Sequence, residues 1–268
     1  MHKQYKEIYT TTNDTLIFNE LCSNFRNKNL SLHEYIVSVG NFFIGTSYIA
    51  STLETDREEH LVINLHEMDC VTFVEYVTAL SISFYKKQYK FENFVEILTM
   101  IRYRSGIIDG YTSRLHYFSE WLQNNTQKGF LNIVSNTIGD AIFDKKVNFM
   151  TANSHLYKQL KDSAVINQLK IIEDCISSYS IKYITKNNIK NIENEIKSGD
   201  IIAFTSSIKG LDVSHVGFAV HENGKLYLLH ASSDTKKVEV TSLLLVDYII
   251  NRKNITGILI GRVSCEKF

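Results

Sequence analysis

The clearest apolar pattern in the chain begins at Cys70, where a loop gives way to residues with helical spacing. Apolar side chains recur at Val71, Val74 and Val77, at the intervals that define one face of a helix. Asp69 comes directly before this run and suits an N-cap, because its carboxylate can accept a hydrogen bond from the first turn. The pattern therefore predicts a helix whose first turn contains Cys70.

Further helices are predicted in the first half of the chain. Residues 14–40 contain two helical stretches separated by the polar segment 24–29. The second stretch is expected to begin after Ser31, with Glu34 three residues later completing a capping box.

Helical spacing also covers residues 91–104, where Gly106 is the expected stop, and residues 155–180. Between the helices, the short branched run 61–65 predicts a strand that leads to Cys70.

The pattern changes to strands after Ser198. Short apolar runs bounded by turn residues predict strands at 199–204, 213–221, 225–231, 238–240 and 257–263. Helices first and an antiparallel sheet of about five strands last define an α+β fold. We expect one domain over residues 1–268, with a helical half at about 1–195 and a sheet half at about 196–268.

Two histidines are expected to meet on this sheet. Asn223-Gly224 between apolar runs is a strong hairpin signal. With these two residues at the centre of the turn, counting outward pairs His215 with Ser232 and His230 with Gly217. The two histidines then share one face of the sheet, about 7–8 Å apart at their Cα atoms, which allows their rings to hydrogen-bond.

Composition narrows the classes of function. The 268 residues include 29 Lys and Arg and 29 Asp and Glu, so no basic surface for nucleic acid or a membrane is indicated. No apolar run is long enough to span a membrane, and no signal peptide is recognised before Tyr5. The hydrophobic content of 44% fits a globular protein and argues against disorder.

The cysteines and histidines leave two kinds of chemistry open. Four cysteines occur without a CxxC pair, which disfavours a zinc site or a disulfide framework. A cysteine at a helix start favours the nucleophilic thiolate, although most free cysteines are simply buried apolar residues. Combined with a same-face histidine pair, Cys70 completes a cysteine–histidine–polar triad. The histidines alone also suit a metal, but no third ligand lies at close spacing, so no metal or cofactor is expected.

The segment 108–121 concentrates a second group of polar and aromatic residues. Tyr117, Phe118 and Trp121 fit the core side of an amphipathic helix. Arg114 and His116 have no evident structural role in that pattern.

Several short motifs, taken in order, resemble the NlpC-type papain-like cell-wall hydrolases. They are Gly45-Thr46-Ser47-Tyr48, Asp69-Cys70, Ser198-Gly199-Asp200, Ser214-His215-Val216-Gly217 and His230-Ala231-Ser232. The segments Arg102–Gly106, Gly210–His215 and Ser113–Phe118 are similar to the N-acetylmuramoyl-L-alanine amidase-like branch of that superfamily. The family's usual prolines are replaced here by Ser47 and Ser198, which changes two turns and no reacting group.

The resemblance implies a papain-like fold in which the cysteine helix packs on the histidine-bearing sheet. Cys70 would be the nucleophile, His215 the general base and His230 the third polar residue, with Tyr48 over the nucleophile. The expected substrate contacts are Tyr48, Arg102, Arg114, His116, Tyr117, Asp212 and Ser214.

The implied reaction is hydrolysis of the amide between N-acetylmuramic acid and L-alanine in an anhydro-muropeptide. A γ-D-glutamyl–diaminopimelate endopeptidase, an acyltransferase and a non-catalytic muropeptide-binding module remain alternatives. No nucleic-acid or protein partner is indicated. The family's substrate points to the cell envelope or periplasm, whereas the missing signal peptide leaves the cytoplasm open.

Overall fold

The computed structural model describes residues 8–55 and 58–265. Several helices of the first half pack around a central one that begins at the cysteine. The helices of this half are α1 Thr12–Phe25, α2 Leu32–Phe42, α3 Cys70–Tyr85, α4 Phe91–Arg102, α5 Phe118–Gln127, α6 Ser135–Ile138, α7 Phe149–Ala152 and α8 Ser163–Ser177. One more, α9 at Leu245–Ile250, lies in the second half.

The strands of the described residues form one mixed sheet. They are β1 Ser47–Tyr48, β2 Glu67–Met68, β3 Leu131–Ile133, β4 Ala141–Ile142, β5 Lys182–Thr185, β6 Ile201–Ser206, β7 Val213–Glu222, β8 Lys225–Ser232, β9 Lys237–Val240 and β10 Ile255–Val263. Their order is β2-β1-β9-β8-β7-β6-β10-β5-β4, and β3 also pairs with β10. The mixed α+β class is confirmed.

The number of strands was underestimated. The five predicted strands are present as β6 to β10, but β1 to β5 join the same sheet from the helical half. These additional strands are two to four residues long. Elements this short carry no periodicity, so only their pairing with the longer strands defines them.

The run 61–65 was wrongly predicted as a strand. It makes a single bridge, between Val62 and Tyr9. Its later backbone groups bind side chains instead of a neighbouring strand: the Asn64 N–H donates to the Tyr76 hydroxyl at 3.0 Å and the Leu65 N–H to Asp14 at 2.7 Å.

Two helix boundaries differ from the prediction. Helix α4 ends at Arg102, because Tyr103 adopts an extended conformation and forms a β-bridge with Arg114. Gly106 (φ +67°) is instead the last residue of the short 3₁₀ turn that follows the helix. Helix α8 starts only at Ser163, where Asp162 accepts a hydrogen bond from the Ala164 N–H. Short 3₁₀ turns occupy 154–156 and 158–161.

The helix α3 is the core of the molecule. Its residues 72–84 are buried without interruption, as expected for a helix enclosed on all sides. It packs against α2 and α4 and against β7 and β8 of the sheet. Phe73 meets Phe218 of β7 edge to face, with ring centroids 5.8 Å apart. This packing brings the start of α3, and with it Cys70, to the sheet.

The β7–β8 hairpin has the predicted register. Phe218 pairs with Leu229 and His221 with Leu226, while Asn223 (φ +52°) and Gly224 (φ +74°) form the turn. His221 lies on the exposed end of the hairpin.

A bulge that the sequence pattern did not reveal lies in β7, where Phe204 pairs with His215 but Thr205 pairs with Val213. Ser214 is the extra residue, and bulges of this kind redirect neighbouring side chains.

Gly217 lies at a point of the hairpin where a side chain has no room. A Cβ atom there would lie 2.8 Å from the Cβ of His230 and 2.8 Å from the carbonyl oxygen of Leu229. We expect Gly217→Ala to lower the free energy of unfolding by about 1–3 kcal/mol, because the backbone oxygen has no room to move. Urea denaturation measures this, with Ser233→Ala at an exposed site as control; equal midpoints for the two variants would contradict the expectation.

Candidate active site

Cys70 is the first residue of α3, and the residue before it caps the helix. The Thr72 N–H donates to the Asp69 carboxylate at 2.8 Å, and the Asp69 N–H donates to the Thr72 hydroxyl at 2.9 Å. This reciprocal pair is a capping box, so the predicted N-cap is confirmed. The Cys70 sulfur also accepts from the backbone N–H of Val216, which follows His215 on β7.

The expected low pKa of the cysteine is wrong for the free protein. Burial raises the pKa of Cys70 to about 12, and the negative charge of Asp69 adds to the rise. The N–H groups of Val216, Cys70 and Val71 oppose this shift without cancelling it. Cys70 is therefore a neutral thiol at neutral pH and requires a base to react.

His215 and His230 form the predicted pair. The His215 Nε2 atom lies 2.6 Å from the His230 Nδ1 atom, and the two rings are almost perpendicular. Gly217 makes this possible, since a side chain there would occupy the space of His230. The bond uses one nitrogen of His215 and leaves its Nδ1 atom for a second partner.

Both imidazoles are neutral at neutral pH. Burial lowers the pKa of His215 to about 3, and the positive charges of His230 and Arg252 add to the shift. Burial likewise lowers the pKa of His230 to about 4, with Arg252 as the second cause. Because a neutral imidazole has one N–H and one lone pair, the pair can pass a proton along a fixed direction.

A layer of aromatic rings holds the histidine pair in place. Phe204 of β6 stacks on His215, with ring centroids 5.8 Å apart, and Tyr248 of α9 meets His230 edge to face at 5.5 Å. The guanidinium carbon of Arg252 lies 3.5 Å from the centre of the Tyr248 ring, on the far side of this layer. The roles of Phe204, Tyr248 and Arg252 could not be predicted from the sequence, because only the folded chain brings β6 and α9 against the histidine pair.

Tyr48 of β1 lies close to the cysteine. Burial raises the pKa of Tyr48 to about 12, and Cys70 and Asp69 also contribute, which places the phenol within electrostatic reach of both. The phenol therefore keeps its proton at neutral pH and can donate a hydrogen bond.

A cavity of about 190 Å³ opens beside the thiol. It brings together six of the residues predicted for the site: Cys70, His116, Tyr117, Asp212, Ser214 and His215. A neighbouring cavity of about 420 Å³ contains Arg102 and Arg114 and shares His116 with the first. Eight of the predicted residues thus line one cleft along the start of α3, whereas Tyr48 and His230 line neither cavity.

The Arg102 side chain lies in the interior of the protein. Its side chain is 1% exposed and its Nε atom donates to Glu75 of α3 at 2.6 Å. A second nitrogen donates to the carbonyl oxygen of Val62 at 2.5 Å. Trp121 of α5 donates to the other oxygen of Glu75 at 3.2 Å, so the carboxylate joins three helices. Contact of Arg102 with a substrate remains a prediction.

The other predicted contacts also have internal partners. Arg114 binds Glu54 at 2.7 Å, and His116 donates to the carbonyl oxygen of Tyr111 at 2.8 Å. Burial lowers the pKa of His116 to about 3, so its ring is neutral. The Tyr117 hydroxyl donates to Glu173 at 2.6 Å and accepts from the Met150 N–H at 2.8 Å.

Asp212 and Ser214 differ in their surroundings. The carboxylate of Asp212 is buried and accepts from the backbone N–H and hydroxyl of Ser119, at 2.8 and 2.6 Å, in the first turn of α5. Ser214 is exposed at the mouth of the cavity, on the bulge of β7.

The described part of the chain, residues 8–55 and 58–265, contains no group of metal ligands and no membrane-spanning helix. In this part of the chain, no three His, Cys, Asp or Glu side chains are grouped so that they could hold a metal ion. None of its helices has both the length and the apolar content needed to cross a membrane.

Comparison with known proteins shows the family of the chain. Residues 38–258 match the family described as AmiA-like, N-acetylmuramoyl-L-alanine amidase-like. The chain belongs to this family. The comparison with curated proteins gave no match.

Several solved structures share the fold. An N-acetylmuramoyl-L-alanine amidase from Bacteroides uniformis is 37% identical over 87% of this chain and 99% of its own, with a TM-score of 0.84. A Bacteroides fragilis protein that bears the provisional name of a xylanase is 40% identical over 84% and 99%, with a TM-score of 0.80. A Legionella pneumophila protein at 22% identity covers 95% of each chain with a TM-score of 0.71, which shows the fold alone.

The burial of Arg102 leads to a stability prediction. Arg102→Ala is expected to lower the free energy of unfolding by about 3–5 kcal/mol, because it leaves Glu75 buried without its cation. Arg252→Ala is the control: its partner Asp234 is largely exposed, so its loss should cost about 1 kcal/mol or less. Denaturant unfolding of both variants measures the difference, and equal losses would show that Arg102 has no such structural role.

Proposed function

We propose that the protein is a cysteine-dependent amidase that hydrolyses the bond between N-acetylmuramic acid and L-alanine in anhydro-muropeptides. The observation that carries this proposal is the arrangement of Cys70 and His215 in one cavity, with His215 bonded to His230 at 2.6 Å. Membership of the amidase-like family supports the choice of bond.

The first step requires proton transfer, because the thiol is neutral. With His215 donating from Nε2 to His230, its Nδ1 atom carries the lone pair and accepts the Cys70 proton. The sulfur attacks the carbonyl carbon of the muramic acid lactyl group. The C–N bond then breaks, the Nδ1 proton passes to the departing L-alanine nitrogen, and a thioester remains on Cys70.

Water completes the cycle. His215 takes a proton from water while the oxygen attacks the thioester carbonyl, and the proton then passes to the departing sulfur. Burial makes the imidazolium short-lived, which favours the return of the proton. Among the donors near the sulfur, the N–H of Cys70 and the protonated hydroxyl of Tyr48 are suited to stabilise the carbonyl oxygen as it gains charge.

The same triad serves a γ-D-glutamyl–diaminopimelate endopeptidase, which remains the second candidate because only the pocket would differ.

Glycoside hydrolysis, suggested by the name of one structural neighbour, is less well supported. It needs two free carboxyl groups across the bond. Of the carboxylates in the cleft, Glu75 and Glu54 are paired with arginines, Asp69 caps α3 and Asp212 accepts two hydrogen bonds from Ser119. The proposed substrate also leads us to propose a location in the cell envelope.

The decisive experiment is a digest of defined anhydro-muropeptides, analysed by mass spectrometry. The wild-type protein should release the intact peptide with a free L-alanine amine, and Cys70→Ala should abolish release because the nucleophile is gone. Cys175→Ala, at an exposed cysteine on α8, is the matched control and should retain activity.

A cut after D-glutamate would replace the amidase assignment with the endopeptidase. Binding without cleavage by the wild type would identify a non-catalytic module instead.

The pH profile tests the state of the histidine pair. Because the pKa values of His215 and His230 are lowered to about 3 and 4, both rings stay neutral below the ordinary histidine value of about 6.5. We expect kcat/KM to stay level as pH falls through that value and to decline only in more acidic solution. An acid limb near the ordinary value would show that the base is not buried.

Acid unfolding must be followed in parallel by circular dichroism. His215 and His230 bind protons more tightly in the unfolded chain than in the folded chain. As far as these two groups are concerned, the folded state therefore keeps its full stability above about pH 6.5 and loses stability as the pH falls toward the pKa values of the folded chain.

A further inference from the structure

A third cavity, of about 440 Å³, adjoins the cleft on the side away from the histidine pair. Tyr111 lines both this cavity and the one beside Cys70. Leu53, Thr55 and Gln159 line both it and the cavity that contains the two arginines. The three cavities are therefore adjacent, and we refer to them together as the groove.

The third cavity is acidic. Three carboxylates line it, from Glu58, Glu59 and Asp162, whereas none of the described residues that line it is a lysine or an arginine. Glu59 already accepts from Tyr103 and faces Arg114, but Glu58 and Asp162 are exposed. A charged group that enters this end of the groove meets net negative charge.

Three buried polar atoms around this cavity have no hydrogen-bond partner within the described part of the chain. They are the His60 Nε2 atom, the Tyr111 hydroxyl and the Gln159 Oε1 atom. His60 and Tyr111 are 9% and 8% exposed, and both line the cavity. Buried polar groups are nearly always paired, so three exceptions around one cavity are candidates for contact with a ligand.

The chemistry of these atoms defines the ligand. The His60 Nδ1 atom lies 2.6 Å from the Glu58 carbonyl oxygen and must donate to it, so in the neutral ring Nε2 is an acceptor. The Gln159 Oε1 atom accepts only, and the Tyr111 hydroxyl can accept. Three acceptors beside carboxylates match a group with three N–H donors and a positive charge.

We infer that this acidic cavity binds a primary ammonium group of the substrate. The inference builds on the proposed function, in which the scissile amide lies at Cys70 and the stem peptide continues along the groove. The free side-chain amine of the peptide's diamino acid is then the group that reaches Glu58 and Asp162. Specificity for a peptide with an unmodified diamino acid follows from this end of the groove.

The test compares two anhydro-muramoyl tripeptides, one with a free side-chain amine and one with that amine acetylated. Acetylation removes the charge and two of the three donors, so kcat/KM of the wild-type protein should fall about tenfold or more. The double variant Glu58→Gln/Asp162→Asn should discriminate much less, because the charges are gone while the amide that replaces the Asp162 carboxylate still caps α8. Glu222→Gln/Asp174→Asn, at exposed sites elsewhere, has the same change in net charge and should discriminate like the wild type.

Tyr111→Phe separates recognition from stability. Its hydroxyl has no hydrogen-bond partner among the described residues, so its removal should leave Tm unchanged or higher. The change should nevertheless weaken binding of the free-amine peptide to the Cys70→Ala protein more than binding of the acetylated peptide. Equal weakening for both peptides would count against an ammonium contact.

The outcomes separate the two proposals. Equal cleavage of both peptides by the wild type would overturn the ammonium site and leave the amidase function intact. Cleavage of neither peptide would overturn the amidase function. Calorimetric titration of the Cys70→Ala protein with the two peptides would then test the ammonium site by binding alone. Preference for the free amine would support it, while equal or absent binding would overturn it.

Discussion

The buried ion pair between Glu75 and Arg102 is the contact on which the placement of the active site depends. Glu75 lies little more than one turn after Cys70, and its carboxylate binds α4 through Arg102 and α5 through Trp121. Such a pair adds little net stability relative to apolar packing, but its directional bonds allow few alternative arrangements. It therefore holds the start of α3 in one orientation against β7, where a small rotation would separate Cys70 from His215.

Burial then determines the chemistry of the residues that are brought together. The same enclosure that raises the pKa of Cys70 lowers the pKa values of His215 and His230, so the resting triad carries no charge. An ion pair of thiolate and imidazolium would be expensive in this environment, because each charge would lose its hydration. In the proposed reaction, proton transfer therefore accompanies attack on the substrate, and the His215–His230 bond holds the ring of the base in place.

The features that local spacing determines were predictable from the sequence. The cap at Asp69 and the hairpin register belong to this group, and the register alone placed His215 beside His230. The bulge at Ser214, the short strands of the helical half and the end of α4 were not predictable, because each depends on a partner distant in the chain. The raised pKa of Cys70 escaped prediction for the same reason: a helix start favours a thiolate, but only the packed structure shows how strongly burial opposes it.

The substrate contacts expected from family resemblance and the polar groups that lack a partner overlap only in part: among the expected contacts, Arg102 and Arg114 each have one side-chain nitrogen without a hydrogen bond among the described residues. Tyr117 and Asp212 have their polar atoms satisfied inside the protein, and Arg114 is largely occupied by Glu54 and Glu59. For such groups, contact with a ligand would exchange one bond for another and yield little free energy. An unpartnered polar atom has already lost its hydrogen bonds to water when the chain folded. Each hydrogen bond that it then makes to a ligand contributes almost its full free energy to binding. Selectivity along this groove is therefore best sought where polar atoms lack partners among the described residues: at His60, Tyr111 and Gln159, and at the Nη2 atom of Arg102.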